Sequence, residues 1–148
     1  MKIDESALFY TCSLLELMGR TSRQKRGTLA GLMGQKIISH IYSHADVLHC
    51  EPIAQTAEIF IEMCHIEPGD FDNAGACKYH VPDYWDIGKV YARLIADVAQ
   101  KDVIDTLIHV YQSPASDAIS NFNSDFFYQP RDFIREFYLQ SSLRTVGS

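Results

Sequence analysis

Leu8-Phe9-Tyr10-Thr11-Cys12-Ser13-Leu14-Leu15-Glu16-Leu17-Met18 decides the fold class. Nearly every position in this run is apolar, so as a helix it has no wet face and must be enclosed by other elements. The run is far shorter than the roughly 20 apolar residues a bilayer crossing needs, and Glu16 and Arg20 interrupt it. It therefore reads as the core helix of a helical body, with Gly19 as its expected stop.

Working outward, helical periodicity continues. Thr21 and Gln24 have the spacing of a capping box, which predicts a second, basic helix to about Met33 ended by Gly34. Ile37, Ile38, Ile41, Ala45 and Leu48 form the stripe of a third helix, and Pro52 opens a fourth carrying Ile53, Ala57, Phe60, Ile61 and Cys64. From Glu67 to Asp83 the period vanishes into Gly, Asp, Asn and Pro, which is loop chemistry, with Tyr79 to Val81 as the one segment that could extend. Tyr84, Ile87, Tyr91, Leu94, Ile95 and Val98 restart the pattern. Asp102 is the expected cap of a helix through Ile104, Leu107, Ile108 and Tyr111. Ser113-Pro114 and Pro130 start two more, the last with Phe133, Ile134 and Phe137 facing inward. Sustained strand alternation is absent. The expectation is an all-α helical bundle forming one compact domain over residues 1–148.

The two halves share a pattern. Leu14-Leu15 pairs with Leu94-Ile95, Thr28-Leu29 with Thr106-Leu107, and Ile38 to Ser43 with Ile119 to Ser124. Pro52 and Pro130 then open the last helix of each half. The reading is an internal repeat, 7–66 and 84–141, each of three to four short helices, with 67–83 as the crossover and the units packed about a pseudo-twofold axis.

Composition narrows function by exclusion. The chain has 148 residues, 47% hydrophobic and 22% charged, as in ordinary globular domains. Four single cysteines and no secretory leader predict reduced thiols and a cytoplasmic setting, and no segment reads as membrane-spanning. A net charge of −6 argues against general nucleic-acid affinity. Between Leu17 and Lys36, however, stand Arg20, Arg23, Lys25, Arg26 and Lys36 with no acid, leaving eight of thirteen cations against all nineteen acids elsewhere.

Reactive constellations are sparse. His40 and His44 lie one helical turn apart and could share a metal. His49-Cys50 and Cys64-His65 stand nearby, but the zinc-protease glutamate is missing. Cys77 and His80 make half a zinc site. Asp70 to Gly75 begins like a calcium loop but has Ala74 at a ligand position and Val81 where the bidentate glutamate belongs. No serine elbow or phosphate-cradling glycine run occurs. No cofactor is expected. The long loop and the next helix hold Phe71, Tyr79, Tyr84 and Trp85, residue types that anchor protein interfaces.

The segment from Ala7 to Glu62, centred on Ala45-Asp46-Val47-Leu48-His49, resembles a family of short, uncharacterised bacterial helical proteins often encoded near genes for ADP-ribosyltransferase-like toxins. The resemblance implies an accessory, antitoxin-like protein of a bacterial cell. This chain departs from the family in being about twice as long. The expectation is a non-enzymatic protein-interaction module, binding a protein partner or a second copy of itself as a homodimer. The alternatives are a small DNA-binding regulator using 20–36 and a metal-dependent hydrolase using His40 and His44.

Overall fold

A computed structural model describes residues 2–147, with side chains through Ser142. The described residues are all-helical, without a strand. The elements are α1 (Glu5–Ser22), α2 (Arg26–Ser43), α3 (Ala45–Leu48), α4 (Ile53–Met63), α5 (Tyr84–Val98), α6 (Val103–Tyr111), α7 (Pro114–Ser120), a 3₁₀ turn (Phe126–Tyr128) and α8 (Arg131–Gly147).

The central rod is α1. The Asp4 carboxylate caps its start by accepting from the Ala7 amide at 3.0 Å. Leu8, Cys12, Leu14, Leu15 and Met18 are completely enclosed. Removing each large aliphatic chain from water contributes about 1.5–3 kcal/mol. The most extensive packing of α1 is against α5, with α2 and α4 on its other sides. Where α1 crosses α5, Gly88 lies so near Ser13 that an added Cβ would fall 2.8 Å from the Ser13 Cα. That glycine sets the helix separation.

Gly19 does not stop α1. It stays helical, and its missing side chain makes room for the stem of Arg26; the helix ends one turn later, with Arg23 in the left-handed region at φ 54°. Thr21 is thus in the last turn of α1, not in a capping box. The cap position of α2 is Lys25, with no side-chain bond, while the Gln24 amide donates across to the Glu67 carbonyl at 2.6 Å.

Gly34 does break the helix, at φ 77° and ψ 168°. Only glycine reaches such a conformation without strain. The third expected helix is therefore the second limb of α2, followed by the single turn of α3. Helix α4 follows Pro52, and Asp102 caps α6 by accepting from the Ile104 and Asp105 amides. Tyr79 to Val81 forms no strand.

In α8 the inward assignment fails for two of three residues. Ile134 is buried, but Phe133 and Phe137 are 51% and 37% exposed. The helix lies at the periphery against α5 and α7, so only the Ile134–Tyr138 side meets the core. No described helix is long and apolar enough to cross a membrane.

Both halves run in the same order. A long helix (α1 or α5) is followed by two helical limbs, a single short turn and a helix entered through proline. Among the sequence-matched pairs, Leu14 and Leu94, Leu29 and Leu107, and Ile41 and Phe122 are buried in both halves, whereas Phe60 is buried and its counterpart Tyr138 is not.

Candidate functional site

Glu16 is the one acid within the apolar run of α1, and it is 1% exposed. A carboxylate so placed needs a partner, because an unpaired buried charge is expensive. The α1–α2 turn supplies Arg26, ten residues on and also enclosed. Its Nε donates to Glu16 Oε1 at 2.9 Å and its Nη2 to Oε2 at 3.0 Å, a forked pair. Nη1 donates to the Gln24 carbonyl at 2.7 Å, and Nη2 also reaches Asn73 Oδ1 at 3.1 Å. Arg20 adds a second cation, Nε to Glu16 Oε2 at 2.8 Å. Burial pulls the Arg26 guanidinium down, and the Glu16 charge with its hydrogen bonds more than reverses this, so Arg26 stays charged.

Beside the pair, Tyr91 and Tyr111 stack at 4.1 Å, nearly parallel. Tyr91 shares a 2.6 Å hydrogen bond with Ser116 Oγ, and Tyr111 donates to the Cys12 carbonyl at 3.4 Å. Burial pushes the Tyr91 and Tyr111 hydroxyls up and the Cys12 thiol up to about 12. This constellation is shut off from solvent: its residues cannot meet a substrate, and its work is to hold the fold.

What it holds is the crossover. Arg26 fastens Asn73, whose Nδ2 donates to the Ser120 carbonyl at 3.0 Å. The Gly69 and Phe71 amides donate to the Ser22 and Arg23 carbonyls at 2.8 and 2.9 Å. Further along, the Lys78 amide donates to Asn123 Oδ1 at 2.7 Å, and Asn123 Nδ2 to the Ala76 carbonyl at 3.1 Å. A loop without helix or strand is thus strapped at both ends.

The basic segment is accordingly not a patch of five cations. Arg26 is inside, and Arg20 is mostly covered and spent on Glu16. Only Arg23, Lys25 and Lys36 are exposed, with Lys36 beyond the Gly34 break. With Glu16 also internal, the outer surface is more acidic than the sequence suggests.

The four aromatics fall into three settings. Phe71 lies under the Arg26 guanidinium at 5.9 Å. Tyr84 and Trp85 contact each other with tilted rings at 5.2 Å, and Trp85 meets Phe9 of α1 at 5.5 Å, so this pair ties α5 to α1. Tyr79 alone stands out, 70% exposed. It lines an open cleft of about 500 Å³ together with Tyr128, 73% exposed, and the buried Phe122 and Phe127. On its other side, Tyr128 with Phe127 borders a second cleft of about 190 Å³ running to Arg93 and Arg131. Phe126, Phe133 and Phe137 continue the aromatic surface edge to face, at 6.0 and 4.9 Å. Sequence reading passed over Tyr128. The available signal was the run Phe126-Phe127-Tyr128 directly before a helix start, too long to bury in one turn.

His40 and His44 do come together, rings stacked at 4.2 Å, with His44 Nδ1 against the His40 carbonyl at 2.8 Å. Among the described residues no three His, Cys, Asp or Glu side chains converge as a metal site would require. Cys77 and His80 likewise gain no further ligands. Comparison with protein-family models, curated proteins and solved structures finds no match.

Proposed function

We propose that this chain is a helical protein-binding module whose recognition surface is the aromatic face around Tyr79 and Tyr128, extended by Phe133 and Phe137. The observation that carries the reading is the pair of tyrosines, both more than two-thirds exposed, that line one cleft together with two buried phenylalanines. Large aromatics left in water cost free energy that a partner recovers on covering them, and such residues dominate interface energetics. The interior network supports the same reading, since it spends buried polar groups on positioning the loop that carries Tyr79. The DNA-binding reading loses support, because two of its five cations are turned inward and paired with Glu16. A hydrolase at His40 and His44 lacks converging ligands.

The test is quantitative capture from cells that encode the chain, comparing the wild type with Tyr79→Ser plus Tyr128→Ser. These side chains are exposed, so the variant keeps the fold. A recovered protein depleted at least about tenfold by the variant is the expected result, matching loss of about 1.4 kcal/mol or more. Equal recovery by both proteins would remove the reading. If the recovered protein is the chain itself, the partner is a second copy.

We also propose that the molecule arose by duplication of a helical unit, 7–66 repeated as 84–141. The shared element order and the matched burial of equivalent positions support it. Backbone superposition of the halves in an experimental structure tests it: helices that fail to overlay with Leu14 on Leu94 and Ile41 on Phe122 would refute duplication.

A further inference from the structure

We propose that the cleft between Tyr79 and Tyr128 is an arginine-reading pocket, taking the guanidinium of a basic segment on the partner protein. This rests on the protein-binding reading above and names the chemistry of its partner.

Three observations point to a cation. The cleft is lined by two exposed tyrosines and by buried Phe122 and Phe127, whose rings meet edge to face at 5.9 Å. Aromatic faces carry negative potential and attract cations lying over them. The formal charge on the lining is Asp125, exposed at the rim; no lysine or arginine lines the cleft, and the titratable neighbour is His80. The chain as a whole is acidic, at −6, with two of its arginines turned inward onto Glu16.

The shape of the site selects arginine over lysine. A guanidinium is planar, sheds water more readily than an ammonium, and stacks on aromatic rings while its fork reaches a carboxylate. Tyr79 and Tyr128 offer the faces and Asp125 the acceptor. The same pairing already occurs twice within the fold, at Arg20 over Phe122, 5.1 Å from its centroid, and Arg26 over Phe71. Phe122 thus already carries a cation, which leaves the exposed Tyr79 and Tyr128 to receive an incoming one.

The experiment titrates the isotopically labelled chain with nine-residue glycine–serine peptides carrying three arginines, three lysines or three citrullines. Backbone amide shifts report both the location and the affinity. The arginine peptide is expected to perturb residues 79–80 and 122–128, and to bind about tenfold more tightly than the citrulline peptide, which keeps the shape without the charge. The lysine peptide should be weaker by roughly threefold or more. Tyr79→Ala and Tyr128→Ala should each weaken the arginine peptide roughly fivefold. Asp125→Asn should weaken it and flatten its salt dependence.

Equal binding of citrulline, or shifts spread over the acidic surface away from the cleft, would overturn the proposal. Lysine binding equal to arginine would overturn its guanidinium specificity. A partner lost from the Tyr79 and Tyr128 double variant while the arginine peptide leaves the cleft silent would defeat this inference and leave the binding module standing.

Discussion

Replacing Glu16 by leucine tests the claim that one buried ion pair organises the molecule. The change leaves Arg26, fully enclosed, with the Gln24 carbonyl and Asn73 but no carboxylate. Arg20 retains partial exposure, 16% of its side chain, and can turn to water; Arg26 cannot. Breaking a buried pair from one side costs about 3–5 kcal/mol, because the remaining charge is stranded. Set against a typical total of roughly 5–15 kcal/mol, that is a large share. In urea, with a slope of roughly 2 kcal/mol per molar, the midpoint should fall by about 2 M. Circular dichroism at 222 nm follows the transition. The companion variant, Glu16→Leu with Arg26→Met, removes both charges and should recover to within about 1 kcal/mol of wild type or exceed it. A single-variant loss under about 1 kcal/mol at unchanged slope would refute the argument. So would a double variant that loses as much stability as Glu16→Leu alone.

Three further outcomes follow from the packing. Gly88→Ala pushes a methyl to 2.8 Å from the Ser13 Cα, so α1 and α5 must separate; a loss of about 1–3 kcal/mol on thermal unfolding is expected despite alanine's better helix propensity, and an unchanged midpoint would contradict the crossing. Cys50 is exposed and Cys12 fully buried, so at pH 8 a maleimide should modify Cys50 in the native state while Cys12 reacts only after denaturant is added; rapid native labelling of Cys12 would show the core is open. The Cys12 thiol is pushed up from its ordinary 9.0 to about 12 by burial, so its contribution is fully present below pH 9 and is lost as pH rises from there toward about 12. Stability should decline above pH 9 by about 1.4 kcal/mol per pH unit for this group, joined near pH 10 by Tyr91 and Tyr111, whose hydroxyls are also pushed up; urea midpoints flat between pH 8 and 10.5 would contradict this.

The helices are legible because periodicity and punctuation agree: the Asp102 carboxylate, the Pro52 ring and the missing Cβ of Gly34 each act locally. Gly19 misled because its role is not local. Nothing in its neighbours states that an arginine stem seven residues later must pass where a Cβ would be. The basic segment misled for a related reason. Five cations without an acid look solvated until Arg20, one helical turn along α1, and Arg26, brought back by the α1–α2 turn, both reach Glu16. The warning was available, since a lone glutamate inside an apolar helix requires a cation from somewhere. Phe133 and Phe137 carry the right spacing for a core, yet spacing alone does not say which side of a peripheral helix is covered. Tyr79 is visible as an aromatic in a long loop, whereas Tyr128, which lines the same cleft, lies 49 residues away and joins it through the loop's hydrogen bonds to Asn123 and Ser120.

The most direct measurement of the binding claim places a photo-crosslinking amino acid at position 128, and in a control at exposed Thr28, in cells that encode the chain. Irradiation should join position 128 to one recurrent protein, through a segment rich in basic residues, while position 28 yields nothing comparable. Identical products from both positions, or none from 128, would contradict the assignment of the aromatic cleft as the surface through which this protein works.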